Sequence, residues 1–97
     1  MECRCDGVRF EAVEGERVVG RLDYTEEGDS IAMNRTIVPP ELSGRGIGTR
    51  LTAYALQYAD DNGWTVLPYC TFVQSYIGSH PEFLHLVPQH RRSEFSL

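Results

Sequence analysis

Ninety-seven residues, 41% hydrophobic and 24% charged, define one globular domain with a modest core, residues 1–97 forming a single unit. A chain of this size buries roughly two-thirds of the surface it exposes when unfolded, which leaves no room for a separate substrate domain. The formal net charge of −5 repels phosphate backbones, and no Lys/Arg stripe offsets it, so the balance excludes nucleic acid as the expected partner.

The first third reads as strands. Val8, Phe10 and Ala12 alternate with Arg9 and Glu11, a period of two. Glu14-Gly15-Glu16 makes a turn. Val18, Gly20, Leu22 and Tyr24 then alternate with Val19, Arg21 and Asp23, and Glu26-Glu27-Gly28-Asp29 makes a second turn. Ser30 to Val38 reads as a third strand, ended by Pro39-Pro40, since proline donates no ladder hydrogen bond. Short turns between successive strands predict an antiparallel meander.

After a glycine cluster the period changes. Ile47, Leu51, Ala55 and Ala59 recur every four residues, which predicts an amphipathic helix from about Ile47 to Asp61. Asn62-Gly63 is its stop, because both residues tolerate the left-handed conformation. Trp64 to Leu67 reads as a buried strand, with Pro68 breaking its pairing on one side. A shorter helix starts near Thr71, with Val73, Tyr76 and Ile77 on one face, and His80-Pro81 stops it. Phe83, Leu84, Leu86 and Val87 make a final amphipathic turn. The core spans about residues 7–87, and Pro88 to Leu97 reads as a flexible polar tail that carries Arg91-Arg92. Strand, glycine turn, helix and strand form a βαβ unit, so the sheet is mixed.

No apolar run approaches the roughly 20 residues of a membrane-spanning helix, and Met1 to Asp6 carries no apolar signal core, so the expected location is the cytoplasm. Three cysteines, Cys3, Cys5 and Cys70, are too few for a disulfide framework. Cys3 and Cys5 have no second Cys or His pair at ligand spacing, because His80, His85 and His90 recur every five residues. No metal site is therefore expected.

Gly44, Gly46 and Gly48 stand between a strand and the start of a helix. The first amides of a helix have no internal partner and lie at the positive end of its dipole, so anions bind there. Glycine lets backbone approach a phosphate with no Cβ in the way. Arg45 and Arg50 add positive charge beside the turn. A flexible loop that merely caps the helix is the competing reading. Two familiar patterns do not fit: G-x-G-x-x-G would need a glycine where Thr49 stands, and the nucleoside-triphosphate loop needs Gly-Lys-Ser/Thr.

The run from Val38 through Ser43-Gly44-Arg45-Gly46-Ile47-Gly48 resembles the acetyl-CoA motif of GNAT acetyltransferases, Q/R-x-x-G-x-G/A. Gly46 and Gly48 fill its last two fixed positions, and Ser43 stands where Gln or Arg is usual. The chain is also similar to the small GNAT-like "N-acetyltransferase domain" family of about 100 residues. That family carries a pattern near H-T-x-V-P, here Arg35-Thr36-Ile37-Val38-Pro39 with Arg35 in place of the histidine. It also carries a longer pattern matched by Pro68-Tyr69-Cys70-Thr71-Phe72-Val73, Tyr76-Ile77 and His80-Pro81-Glu82. The resemblance covers roughly residues 7 to 87.

The resemblance implies an α+β fold in three α/β/α layers. Its GNAT-like sheet would be mixed and mostly antiparallel around a central βαβ unit that binds acetyl-CoA. The pyrophosphate would lie on the amides of Arg45, Gly46, Ile47, Gly48 and Thr49, beside Gly44 and Arg50. The pantetheine arm would run along the strand ending at Val38, in the gap where the neighbouring strand splays away. The implied activity is transfer of acetyl from acetyl-CoA to an unidentified amine, a small amine or a lysine peptide, by a monomer or weak homodimer. Cys70 matches a proposed functional cysteine of the small family, and near a helix start a thiol is favoured as thiolate and could take the acetyl group. Cys70 is equally the kind of small residue that packs in a core. Tyr76 falls near the tyrosine that in many GNAT enzymes protonates the leaving CoA thiolate, although a tyrosine on an apolar helix face also packs. Glu41, His80 and His85 are candidate bases by residue type alone. Two other functions stay open: a CoA or acyl-CoA binding module with little turnover, and a small interaction protein whose glycine turn is only structural.

Overall fold

The computed structural model describes residues 1–97. Five strands form one sheet in the order β1-β2-β3-β4-β5: β1 (Glu2–Cys5), β2 (Arg9–Glu14), β3 (Arg17–Glu27), β4 (Ser30–Ile37) and β5 (Thr65–Pro68). The first four are antiparallel neighbours, and β5 joins β4 in parallel. Helix α1 (Ile47–Asp61) crosses from β4 to β5, and α2 (Thr71–Ser79) follows β5. The fold is α+β with a mixed sheet, as expected.

Strand β1 was not read from the sequence. Cys3 and Cys5 alternate with Glu2 and Arg4, but four residues make too short a pattern to stand without a partner. Its register on β2 pairs Cys3 with Ala12 and Cys5 with Phe10. Both thiols thereby share the inner face, where Cys5 Sγ lies 3.5 Å from the Tyr24 hydroxyl.

Helix α1 matches its predicted span. Its buried residues Ile47, Leu51, Ala55, Leu56 and Ala59 form one stripe. Tyr54 and Tyr58 from the same helix pack edge-on against Phe10 of β2. Gly20 of β3 sits beneath the start of the helix, where a Cβ would lie 2.9 Å from Ile47 Cγ2. The missing side chain is what lets the helix approach the sheet this closely. Phe10, Leu22, Met33, Leu51, Leu56 and Val66 are fully buried in the core. Each such side chain contributes about 1.5–3 kcal/mol of apolar burial. Successive residues of a strand point to opposite faces, yet Ala32 and Met33 of β4 are both buried, as are Val66 and Leu67 of β5. This half of the sheet is therefore covered on both sides.

The C-terminal segment differs from the expected flexible tail. Gln89–Phe95 forms a 3-10 helix, and Phe95 is 3% exposed with its ring edge-on to Tyr69. Arg91 pairs with Glu94 and reaches Glu27 at 3.6 Å, while Arg92 donates to the carbonyls of Val87 and Leu84. Polar composition hid one apolar anchor and two arginines with specific acceptors.

One irregularity sets up the site. Asp23 pairs with Arg35, but the next residue, Tyr24, pairs with Met33, so Asn34 is an extra residue in β4. Such a bulge bends its strand. β5 follows β4 only from Ser30↔Thr65 to Met33↔Pro68, and Pro68 is the last paired position. Beyond it β5 ends and the chain turns into α2, while β4 runs on to Ile37 without a partner on that side.

Candidate functional site

The chain leaves β4 through Val38 and a 3-10 turn at Pro40–Leu42, then enters α1 by the glycine turn. Gly44 and Gly46 have φ of 84° and 75°, in the left-handed region that glycine alone occupies without strain. Gly46 is the N-cap residue of α1 and offers no side chain to cap it. Arg50 N bonds Gly46 O at 3.0 Å, which closes the first helical turn. The six amides of Gly44 to Thr49 donate to no protein acceptor. They lie at the positive end of a 15-residue helix.

These residues line a cleft of about 390 Å³ bounded by Thr36, Val38, Ser43, Gly44, Gly46, Ile47, Gly48, Thr49 and Phe72. Six predicted cofactor residues, Val38, Gly44, Gly46, Ile47, Gly48 and Thr49, thus line one cleft. Gly48 has a packing reason for lacking a side chain, since a Cβ there would stand 3.2 Å from Phe72 Cζ. The two predicted cations do not line the cleft: Arg45 pairs with Glu14 at 3.0 Å, and the charge of Arg50 acts on the Cys3 thiol, whose pKa burial raises and Arg50 lowers. Backbone, not side-chain charge, makes the cleft attractive to an anion.

Cys70 is the N-cap residue of α2 and is 8% exposed. Its amide bonds Met33 O at 2.9 Å and so closes the end of the β4–β5 ladder. Its Sγ lies 3.5 Å from Thr36 Oγ1, just behind the cleft wall. Thr36 and Phe72 belong to the stretches that carry the family resemblance, but residue type alone did not mark them as wall residues.

Tyr76 is in a second cavity, of about 470 Å³, lined by Thr49, Thr71, Phe72, Ser75, Tyr76, Ser79 and His80. It shares Thr49 and Phe72 with the first, so Phe72 is the partition between them. Cys70 lines neither cavity and meets the first only through Thr36, whereas Tyr76 lines the second. Burial, and then the charge of Glu82, raises the Tyr76 pKa and keeps the phenol protonated at neutral pH. His80 stacks on Tyr76 with centroids 3.9 Å apart. Its Nδ1 lies 2.8 Å from Tyr76 O. A carbonyl can only accept, so Nδ1 carries the proton and Nε2 of the neutral ring keeps its lone pair. The other two candidate bases are engaged outside both cavities: Glu41 with Arg17 at 3.1 Å, and His85 with Asp60 at 3.0 Å.

The fold is a mixed sheet with a cleft between the end of β4 and a glycine-rich helix start, beyond the last β4–β5 pair. The chain belongs to the GCN5-related N-acetyl-transferase family, which it matches over residues 9–86. Acyl transfer is the chemistry of that family. No curated protein matches the chain. No helix is long and apolar enough to cross a membrane.

Proposed function

We propose that this protein is an acetyl-CoA-dependent N-acetyltransferase that acts on an amine. The observation that carries the reading is the row of six unpartnered amides, Gly44 to Thr49, of which all but that of Arg45 belong to residues lining a cleft beside the end of β4. That arrangement suits a pyrophosphate, and the β4 edge from Thr36 to Val38 suits an extended pantetheine arm. When bound, acetyl-CoA supplies an acyl group already activated as a thioester.

The chain's own groups divide the remaining work. Phe72 and Gly48 shape the passage between the cavities. His80 Nε2 is the lining group able to accept the proton that a protonated amine must lose before it attacks. The Tyr76 phenol, held protonated, would give a proton to the departing CoA thiolate and regain one from solvent. Cys70, held against Thr36, would lose its thiol proton to solvent, take the acyl group on Sγ as CoA leaves, and release it to the amine as Sγ departs again. Free thiols at Cys3, Cys5 and Cys70 accord with a reducing compartment such as the cytoplasm.

Thermal melting with acetyl-CoA, CoA and control nucleotides tests the binding step. A ligand at one hundred times its Kd stabilises by about 2.7 kcal/mol. At roughly 4–8 °C per kcal/mol, the melting point rises by about 10 °C or more. No shift with any CoA species overturns the proposal. Binding without CoA release across a broad amine panel leaves a CoA-binding module instead of an enzyme.

A further inference from the structure

The sheet face turned away from α1 carries a different cluster. Arg9, Asp23 and Arg35 stand in one cross-strand row on β2, β3 and β4. Arg21 precedes Asp23 by two residues and so shares its face. Together with Val8 and Tyr24 they line a depression of about 320 Å³.

Three guanidinium groups meet one carboxylate there. Asp23 accepts from Arg35 Nε at 2.9 Å and faces Arg21 Nε at 3.3 Å without the angle of a hydrogen bond. The formal excess is two positive charges, in a chain whose net charge is −5. The Nε atoms of Arg9 and Arg21 are buried and have no hydrogen-bond partner. A buried donor on a cation is costly to leave unpaired. The two acids nearest Arg9 in the chain do not relieve it: Glu11, on the same face and opposite Arg21, pairs with Arg4 at 2.9 Å, and Asp6 Oδ1 accepts from the amides of Val8 and Arg9 at 2.9 Å each.

We propose that this depression binds a small phosphoryl dianion, independently of the acyl-transfer site. The part-exposed guanidinium ends of Arg9, Arg21 and Arg35 supply the charge and the terminal N–H donors, and the ligand's charge offsets the cost of the two unpaired Nε groups beneath them. Asp23 anchors Arg35 and holds Arg21 nearby, so that the forks are arranged before the ligand arrives. Guanidinium forks match phosphate oxygens in pairs, and a dianion balances the excess charge. A single carboxylate leaves one charge unmatched. The dianion is either free phosphate or the phosphoryl group of a small molecule.

The test is amide-resolved NMR titration of the whole chain with inorganic phosphate, glycerol phosphate, and acetate as the monoanion. Saturable shifts are expected around Arg9, Arg21 and Arg35, with a Kd at or below about 1 mM for at least one phosphate probe and at least tenfold weaker acetate binding. Tighter inorganic phosphate marks the free ion as ligand, and tighter glycerol phosphate marks a phosphomonoester. Arg9→Gln is expected to weaken binding at least tenfold, and Gly46→Ala to leave it unchanged. Absence of saturable shifts at the three arginines, shifts confined to Gly44 to Thr49, acetate binding as tight as phosphate, or full affinity in Arg9→Gln each overturns the proposal. Should Arg9→Gln not fold, the parent titration alone decides between these outcomes.

Discussion

Replacing Gly46 by alanine separates the backbone role of the turn from its ligand role. Gly46 has φ of 75° and ψ of 15°, and an added Cβ would meet no protein atom within 4 Å. The whole cost to the free protein is therefore conformational. An L-residue held in the left-handed region costs about 1–2 kcal/mol. The lost chain entropy of the unfolded state returns about 0.4–1 kcal/mol of that. The net destabilisation is about 1 kcal/mol, or roughly 4–8 °C in melting temperature. The ligand suffers more, because the new methyl group stands among the six amides that a phosphate must approach. Affinity for acetyl-CoA is expected to fall at least tenfold, about 1.4 kcal/mol, by calorimetric titration. Gly28→Ala is the control, since Gly28 has φ of 61° and equally open surroundings in the β3–β4 hairpin. It carries the same backbone cost with no effect on affinity. If Gly46→Ala binds acetyl-CoA as Gly28→Ala does, the turn is not where the pyrophosphate rests.

Cys70→Ala and Cys70→Ser are expected to bind acetyl-CoA like the parent and to lose nearly all transfer in a CoA-release assay, because neither leaves a competent nucleophile behind Thr36. Transfer retained in both assigns Cys70 to packing alone. Burial, helped by its hydrogen bond with Cys5, raises the Tyr24 pKa well above its ordinary value of 10.0. The folded state then holds that proton more tightly than the unfolded chain, so the contribution is complete below pH 10 and is lost as pH climbs beyond it. Tyr24→Phe should flatten the fall of melting temperature above pH 10, and an unchanged alkaline profile contradicts this. Phe95→Ala removes a ring that is 3% exposed and should cost about 3 kcal/mol or more. A melting point within a degree or two of the parent, about the effect of a surface change, would mean that the C-terminal helix is not anchored by that ring.

Local periodicity and turn chemistry determined much of this protein before any folding. The four-residue spacing from Ile47 to Ala59 and the Asn62-Gly63 stop define α1 because both act within a few residues of chain. The glycine turn is legible for the same reason, since helix-start amides and left-handed glycines are local properties. Strand β1 and the docked C-terminal helix were not legible. Each is short, and each is stabilised by partners far along the chain: β1 by β2, and Phe95 by Tyr69. The tertiary structure alone decided which named residues meet. β5 ends opposite Met33 while β4 continues past the extra residue Asn34, and there Thr36 meets Cys70 beside the cleft. The same structure paired Arg45 with Glu14, left both Arg45 and Arg50 out of the cleft lining, and put Tyr76 in a second cavity while Cys70 lies behind Thr36. The row Arg9, Asp23, Arg35 exists only through the pairing of three strands. Register is a long-range property: a shift of one residue would turn each of these side chains to the opposite face, and no local pattern specifies which pairing the buried core selects.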